Sequence, residues 1–257
     1  MRWHFLVSPA ADGAHNMALD EALMRRTATH RKHEAVFRVY GWSAPTLSLG
    51  RNQRARGCYN LADAQRLGVG IVRRPTGGRA LLHFREITYS VTMPCPSPGS
   101  AREAYDFIND VLLTGLRRLG VAARRATLAA STPPGLRPCF DVPSEHEIVV
   151  GTRKLVGSAQ WRHGGALLQH GSILVQDDQA LIERLLREPV GRTPLAATIA
   201  DAIGREPALD EVAGLLRGAL RAAAGSDVPS LELDDQLLDE TAHLRDSYND
   251  DAWTWRR

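Results

Sequence analysis

The sequence predicts an α/β (α+β) fold with a mixed, largely antiparallel central sheet flanked by helices. Short segments of alternating apolar and polar residues are typical of strands, and other segments carry apolar residues at helical spacing. In residues 147–175, two glycine-containing turns join three strand candidates into a meander. Because strands joined by tight turns pair in opposite directions, antiparallel neighbours should predominate in the sheet.

Each predicted helix or strand follows from local periodicity and from residues that favour helix ends. Helices are predicted over residues 13–29, with Asp12 as N-cap, and over residues 101–119, with Ser100 as N-cap and Gly120 after the last turn. The remaining predicted helices cover residues 60–67, 179–187, 209–224 and 233–245. The predicted strands before the meander cover residues 3–7, 35–40, 46–49, 69–72, 87–93 and 121–128.

Length and composition indicate one globular domain. No repeat or low-complexity linker divides the 257 residues, so a single domain is expected, ending in a helical part over about residues 177–257. No apolar stretch approaches the roughly 18 residues of a membrane span, and the first twenty residues lack a signal-peptide core, so a cytoplasmic location is expected. The three cysteines are widely spaced without a C-x-x-C pair, which disfavours a disulfide framework and a zinc site.

Cys139 and Lys154 form a candidate catalytic pair. Lysine is almost absent, because only two of the 32 cationic residues are lysines. Arginine stays protonated, whereas a lysine can lose its proton and act as a base, so a lysine kept at position 154 suggests a chemical role. A thiol near a cation ionises more easily to the nucleophilic thiolate. The alternatives are a small buried cysteine and a solvated strand lysine.

A second candidate site surrounds the bend at Gly77-Gly78. Two residues without side chains let backbone N–H groups approach a ligand closely, although such a turn is also typical of a plain hairpin. No Gly-Lys-Ser/Thr follows the glycines, so the bend is not a nucleotide P-loop. A positively charged bend suits an anion or a polar carbonyl group. The surrounding cations are Arg73, Arg74 and Arg79.

Further candidate substrate-binding residues lie near this bend or in the meander. His83 is either a hydrogen-bonded structural histidine or a group whose charge switches near neutral pH. Gly157 and Gly171 lie inside predicted strands, where a glycine often marks the close approach of another backbone or a ligand. Their neighbours Ser158 and His170 complete the candidate set.

Four segments, in order, resemble the biotin/lipoate protein ligase superfamily, and within it the octanoyltransferases of lipoate assembly that use a loop cysteine. They cover most of residues 12–175, and read DGAHNMALDEAL, FRVYGWSAPTLSLGRNQ, VRRPTGGRALLHFREITYSV and CFDVPSEHEIVVGTRKLVGSAQWRHGGALLQHGSILV. The resemblance implies a catalytic domain of the class II synthetase and biotin ligase type. It also implies a slot for a medium-length acyl chain, walled by the Gly77-Gly78 loop and the meander.

Three features separate the chain from ATP-using lipoate ligases. Those ligases carry a third glycine where this chain has Arg79, they lack a nucleophile where it has Cys139, and many have an accessory domain beyond the point where this sequence ends. One feature fits the resemblance less well, since relatives often have Asp where Phe84 follows His83. The resemblance implies transfer of octanoyl from acyl carrier protein through Cys139 to a lysine of a lipoyl domain or the glycine-cleavage H protein, without a cofactor, a nucleic acid or a membrane.

In that reaction Lys154 would move protons or hold the carbonyl oxygen. One alternative is an ATP-dependent lipoate-protein ligase, which would need ATP and Mg²⁺ and use Lys154 to grip a carboxylate. The other is a non-catalytic protein that binds lipoyl domains. A covalent octanoyl adduct on Cys139 distinguishes the transferase from both.

Overall fold

The computed structural model describes residues 1–29, 33–95, 97–126, 147–188 and 195–257. The strands of these ranges are β1 (Arg2–Val7), β2 (Glu34–Tyr40), β3 (Thr46–Leu49), β4 (Gly70–Arg73), β5 (Leu81–His83), β6 (Glu86–Pro94), β7 (Ala123–Arg125), β8 (Ile148–Val150), β9 (Arg153–His163) and β10 (Ala166–Leu174). The helices are α1 (Gly13–Thr29), α2 (Leu61–Arg66), α3 (Pro98–Arg118), α4 (Leu181–Leu185), α5 (Ile199–Ile203), α6 (Leu209–Ala224), α7 (Asp235–Asn249) and α8 (Asp251–Thr254). Cys139 lies outside the described residues.

Seven strands form the main sheet in the order β1-β2-β6-β10-β9-β8-β7. Its first pair, β1 and β2, runs parallel, and the other neighbouring pairs run antiparallel. A smaller sheet in the order β4-β3-β5 combines one parallel and one antiparallel pair. The predicted mixed, largely antiparallel sheet flanked by helices is confirmed.

Helices cover both faces of the main sheet. On one face, α3 and α6 bury apolar residues such as Leu112 and Leu216 against strand residues that include Phe37 and Tyr89. On the other face lies α1, and α7 packs on the outer side of α1. Burying a side chain such as Leu or Phe contributes about 1.5–3 kcal/mol each, so these two layers supply the main stabilisation.

The ends of α1 and α3 show how local residues begin a helix. The predicted N-cap Asp12 is confirmed, because its Oδ1 accepts a hydrogen bond from the His15 backbone N–H at 2.8 Å. The N-cap predicted at Ser100 is wrong: Ser97 caps α3, which therefore begins three residues earlier than predicted. Ser100 instead returns a bond as the third residue of a capping box, accepting from the Ser97 N–H at 3.1 Å.

Other boundaries also shifted. The strand predicted over residues 121–128 is shorter at its start and is described as Ala123–Arg125, while residues 127 and 128 lie outside the described ranges. The helix predicted over residues 179–187 is a single turn, Leu181–Leu185. Among the described residues, no helix is both long enough and apolar enough to cross a bilayer.

Candidate active site

A small cavity of about 40 Å³ lies between the β9–β10 hairpin and the Gly77-Gly78 loop. In the hairpin, Gly171 pairs with Ser158 and His170 pairs with Ala159, so both strands present lining residues at the same level. Six of the predicted substrate-binding residues line the cavity: Gly78, His83, Gly157, Ser158, His170 and Gly171. The remaining lining residues are Met17, Tyr40, Trp42, Arg74, Leu81, Thr88 and Ala159.

The Gly77-Gly78 loop is held by Arg74, which sequence reasoning named only as one of three surrounding cations. The buried guanidinium of Arg74 donates to the backbone oxygens of Gly77 at 2.8 Å and Arg79 at 2.7 Å. Gly78 has a φ of 96°, a backbone conformation that residues with a side chain rarely adopt. A Cβ at Gly50 would lie 1.9 Å from the Gly78 carbonyl oxygen, so the neighbouring turn also needs a glycine.

His83 is a hydrogen-bonded histidine whose ring nitrogens both have partners. Nε2 lies 2.8 Å from Ser48 Oγ, and Nδ1 donates to Glu86 Oε1 at 3.2 Å, because a carboxylate can only accept. Trp42 stacks on the imidazole with ring centroids 4.0 Å apart. Burial lowers the pKa of His83 below its ordinary value, although Glu86 opposes this shift. The ring is therefore neutral at neutral pH, which favours a structural role over a charge switch.

His170 is held by a buried network centred on Asp20 of α1. The Asp20 carboxylate accepts from His170 Nδ1 at 3.2 Å and from Arg38 at 2.7 Å. Burial raises the pKa of Asp20, but Arg38 and the hydrogen bonds from His170 and Ser90 outweigh burial and leave it below its ordinary value. The ionised carboxylate thereby fixes the His170 ring, whose Nε2 contacts Thr76 Oγ1 at 2.6 Å.

Sequence reasoning did not single out Asp20 or Arg38. The available signal was a charged residue inside the apolar pattern of a helix or strand, at Asp20 in ALDEAL and at Arg38 in VFRVY. A buried charge requires a partner. Periodicity alone did not show which partner each one had, because the two lie 18 positions apart on different elements.

Lys154 is buried on β9, with its side chain 2% exposed, so the alternative of a solvated strand lysine is wrong. Its Nζ lies 2.7 Å from Glu147 Oε1, a contact that sequence reasoning did not predict. Lys154 does not line the small cavity but precedes the lining residue Gly157 by three positions on the same strand. The proximity of Cys139 to Lys154 remains a prediction, since Cys139 lies outside the described ranges.

Arg73 and Gly77 are not among the described residues that line the cavity. The buried Arg73 guanidinium donates to the backbone oxygens of Gly50 at 2.6 Å, Gln53 at 2.9 Å and Thr254 at 2.8 Å. Burial lowers the pKa of Arg73 to about 10, with nearby arginines adding to the shift. Arg73 therefore joins the loop after β3 to the end of α8, and Arg74 is the arginine at the cavity.

Gly171 shows the close approach that its position inside a strand predicted. A Cβ there would lie 2.4 Å from the Gly157 carbonyl oxygen and 2.7 Å from a Tyr89 ring carbon. Gly171→Ala should lower the free energy of unfolding by about 1 to 3 kcal/mol, the usual cost of overpacking, as measured by urea denaturation. Gly214→Ala, in an open stretch of α6, is the control and should stabilise slightly. Equal unfolding midpoints for Gly171→Ala and wild type would contradict the steric argument.

The chain is similar to curated octanoyltransferases over almost its whole length. The Octanoyltransferase LipM of Kyrpidia tusciae is 38% identical over 277 aligned positions, which cover 99% of each chain. The Octanoyltransferase LipM of Bacillus subtilis is 35% identical, over 99% of this chain and 98% of the relative.

Solved structures share the fold. Lipoate-protein ligase A bound with ATP superposes with a TM-score of 0.81 at 22% identity, over 99% of both chains. The bi-partite lipoate protein ligase of Thermoplasma acidophilum gives 0.80 at 21% identity, over 99% of this chain and 96% of the other. The sequence pattern of the lipoyl protein ligase A/B catalytic domain matches residues 12–221. The chain therefore belongs to the lipoyl protein ligase A/B catalytic domain family.

Proposed function

We propose that the protein is an octanoyltransferase of protein lipoylation that carries the octanoyl group as a thioester on Cys139. The observation that carries this proposal is the 38% identity to an Octanoyltransferase LipM over 99% of both chains. The solved ligases, at 22% identity or less, support only the fold. The buried Lys154, on the strand β9 that lines the cavity, and Cys139, earlier in the sequence, supply the two reactive groups that acyl transfer requires.

The first half of the reaction loads the enzyme. The Cys139 thiolate attacks the thioester carbonyl of octanoyl acyl carrier protein and forms a new C–S bond. The C–S bond to the carrier then breaks, and the departing thiolate takes up a proton. Lys154, whose ammonium is held by Glu147, would donate that proton or stabilise the oxyanion.

The second half transfers the octanoyl group to a lysine of a lipoyl domain or the glycine-cleavage H protein. The neutral ε-amine of the acceptor lysine attacks the acyl-enzyme carbonyl and forms a C–N bond. The C–S bond to Cys139 breaks, and Lys154 takes up the proton that the acceptor amine loses. Exchange of one thioester for another is nearly isoenergetic and amide formation from a thioester is downhill, so neither ATP nor another cofactor is required.

Intact-mass spectrometry after incubation with octanoyl acyl carrier protein tests the proposal. Wild-type protein should gain the mass of one octanoyl group, and Cys139→Ala should gain none. Cys58→Ala, which removes a half-exposed cysteine elsewhere, is the control and should still be acylated. Lipoylation that requires ATP and proceeds without an adduct would support a ligase instead. Absence of both would support a binding protein.

A further inference from the structure

A patch of two arginines and two tryptophans lies on the surface beside the cavity. The arginine–tryptophan patch consists of Arg51, Trp161, Trp253 and Arg256. The Arg51 guanidinium carbon lies 5.0 Å from the ring centroid of Trp161 and 5.7 Å from that of Trp253. The guanidinium carbon of Arg256 lies over the ring of Trp253, 4.1 Å from its centroid. The rings lie over the guanidinium groups. Each guanidinium donates a hydrogen bond to a backbone oxygen, Arg51 to Pro75 at 3.4 Å and Arg256 to Arg51, and its other N–H groups can bind a ligand.

Hydrogen bonds to backbone carbonyl oxygens hold this patch next to the Gly77-Gly78 loop. The Arg51 N–H donates to the Thr76 carbonyl oxygen at 2.7 Å, directly before the Gly77-Gly78 bend. Trp253 Nε1 donates to the Arg73 carbonyl oxygen at 2.8 Å. The Arg256 guanidinium donates to the Arg51 carbonyl oxygen at 2.5 Å. A partner bound at the patch would therefore lie at one edge of the loop that lines the cavity.

The positive charge of the patch is not neutralised within the described parts of the chain. Neither Arg51 nor Arg256 forms an ion pair there. Partial burial, together with Arg51 and Arg257, lowers the pKa of Arg256, which is the direction expected for crowded like charges.

Arg51 and both tryptophans also line a groove of about 1250 Å³ that runs between α1 and α7. Four carboxylates from α1, from α7 and from the N-cap of α7 also line the groove, and three of them are paired with arginines of α1. Arg25 binds Glu21 at 2.7 Å and Glu240 at 2.9 Å, and Arg26 binds Asp234 at 2.8 Å. Asp239 is the remaining carboxylate of the groove. The groove therefore holds four carboxylates and three arginines, and Arg51, at the end beside the cavity, is the one of these arginines that forms no ion pair among the described residues.

We propose that the arginine–tryptophan patch is the docking surface for the acidic acyl carrier protein that donates the octanoyl group. This inference rests on the proposed function. Guanidinium groups recognise carboxylates and phosphodiesters through their N–H groups, often in a bidentate manner. A carrier bound there presents its thioester arm across the Gly77-Gly78 loop, and charge complementarity speeds the encounter between the two proteins.

The test compares the double variant Arg51→Gln/Arg256→Gln with wild type in the rate of Cys139 acylation. With octanoyl acyl carrier protein at low salt, kcat/KM should fall by about tenfold or more, a typical size for lost electrostatic steering. With octanoyl-pantetheine, which has neither a protein nor a phosphate, the fall should be much smaller. Added salt should reduce the difference between the variant and wild type. Arg66→Gln/Arg221→Gln removes two exposed arginines elsewhere and is the matched control.

Four results would overturn the docking proposal. The first is an equal loss of kcat/KM with octanoyl acyl carrier protein and with octanoyl-pantetheine, and the second is a loss no larger than in the control variant. The third is a loss as large with octanoyl-phosphopantetheine as with the carrier protein. The fourth is normal loading of Cys139 followed by slowed transfer from the pre-acylated enzyme to a lipoyl domain. The third would indicate phosphate binding, and the fourth would make the acceptor the occupant. No adduct on wild-type protein with any donor would instead contradict the proposed function, and the docking inference with it.

Discussion

Lys154→Met is expected to lower kcat/KM for octanoyl transfer by about 10²- to 10⁴-fold, the range that general acid–base catalysis contributes. Lys154 Nζ is buried and lies 2.7 Å from Glu147 Oε1, so its position is fixed on the strand that carries Gly157. Removing the amine removes the group proposed to move protons and to stabilise the oxyanion. Steady-state kinetics with octanoyl acyl carrier protein and a lipoyl domain measures the loss.

Two further variants separate chemistry from stability. Lys154→Met leaves a buried carboxylate without its cation, which is destabilising, so Glu147→Gln/Lys154→Met should restore folding without restoring activity. Lys154→Arg keeps the positive charge but cannot readily give up a proton, so it should remain strongly impaired if proton transfer is required. Near-wild-type kinetics for a folded Lys154→Met protein would contradict a catalytic role for this residue.

Asp20→Asn is expected to lower the free energy of unfolding by about 3 to 5 kcal/mol, the cost of leaving a buried charge unpaired. Asp20 and Arg38 are both fully buried, and their side chains meet at 2.7 Å. Asparagine keeps the shape of the side chain but removes the charge that compensates Arg38. Urea denaturation at neutral pH measures the difference. Glu211→Gln, at an exposed ion pair with Arg205, is the control and should leave stability almost unchanged.

The same carboxylate predicts a pH dependence. Because the pKa of Asp20 is lower in the folded protein than in the unfolded chain, the unfolded state binds more protons as the pH falls. Its contribution to stability is therefore complete above the unfolded pKa of about 3.9 and is lost as the pH falls toward the folded pKa. The stability gap between wild type and Asp20→Asn should narrow with acidification over that range. A gap that stays constant would contradict ionised Asp20 as the source.

His170 links this core network to the cavity, so Asp20→Asn should also affect function. The ionised carboxylate orients the ring by accepting from Nδ1, while Nε2 contacts Thr76 before the Gly77-Gly78 bend. The neutral amide of asparagine accepts less strongly, which should loosen the ring and the loop that follows it.

Local sequence patterns were sufficient to predict the helices and strands whose own residues show a clear period or a clear cap. The periodicity of residues 13–29 and the carboxylate of Asp12 predicted α1 and its N-cap correctly. The prediction for α3 placed the cap at the wrong serine, because Ser97 and Ser100 are both good N-caps and only the geometry decides between them. The three-residue strand β5 was missed because it is too short to show a period.

By itself, the sequence determined the largely antiparallel arrangement, the rare lysine, the loop glycines and six of the thirteen described residues that line the cavity. These follow from local periodicity, from composition and from the conformations that glycine alone adopts readily. Only the tertiary structure decided which of two adjacent arginines faces the cavity, that Glu147 holds Lys154, and that Asp20 holds both Arg38 and His170. Such pairings depend on the register of strands and the packing of helices, since His170 and Asp20 lie 150 positions apart and no local pattern relates them.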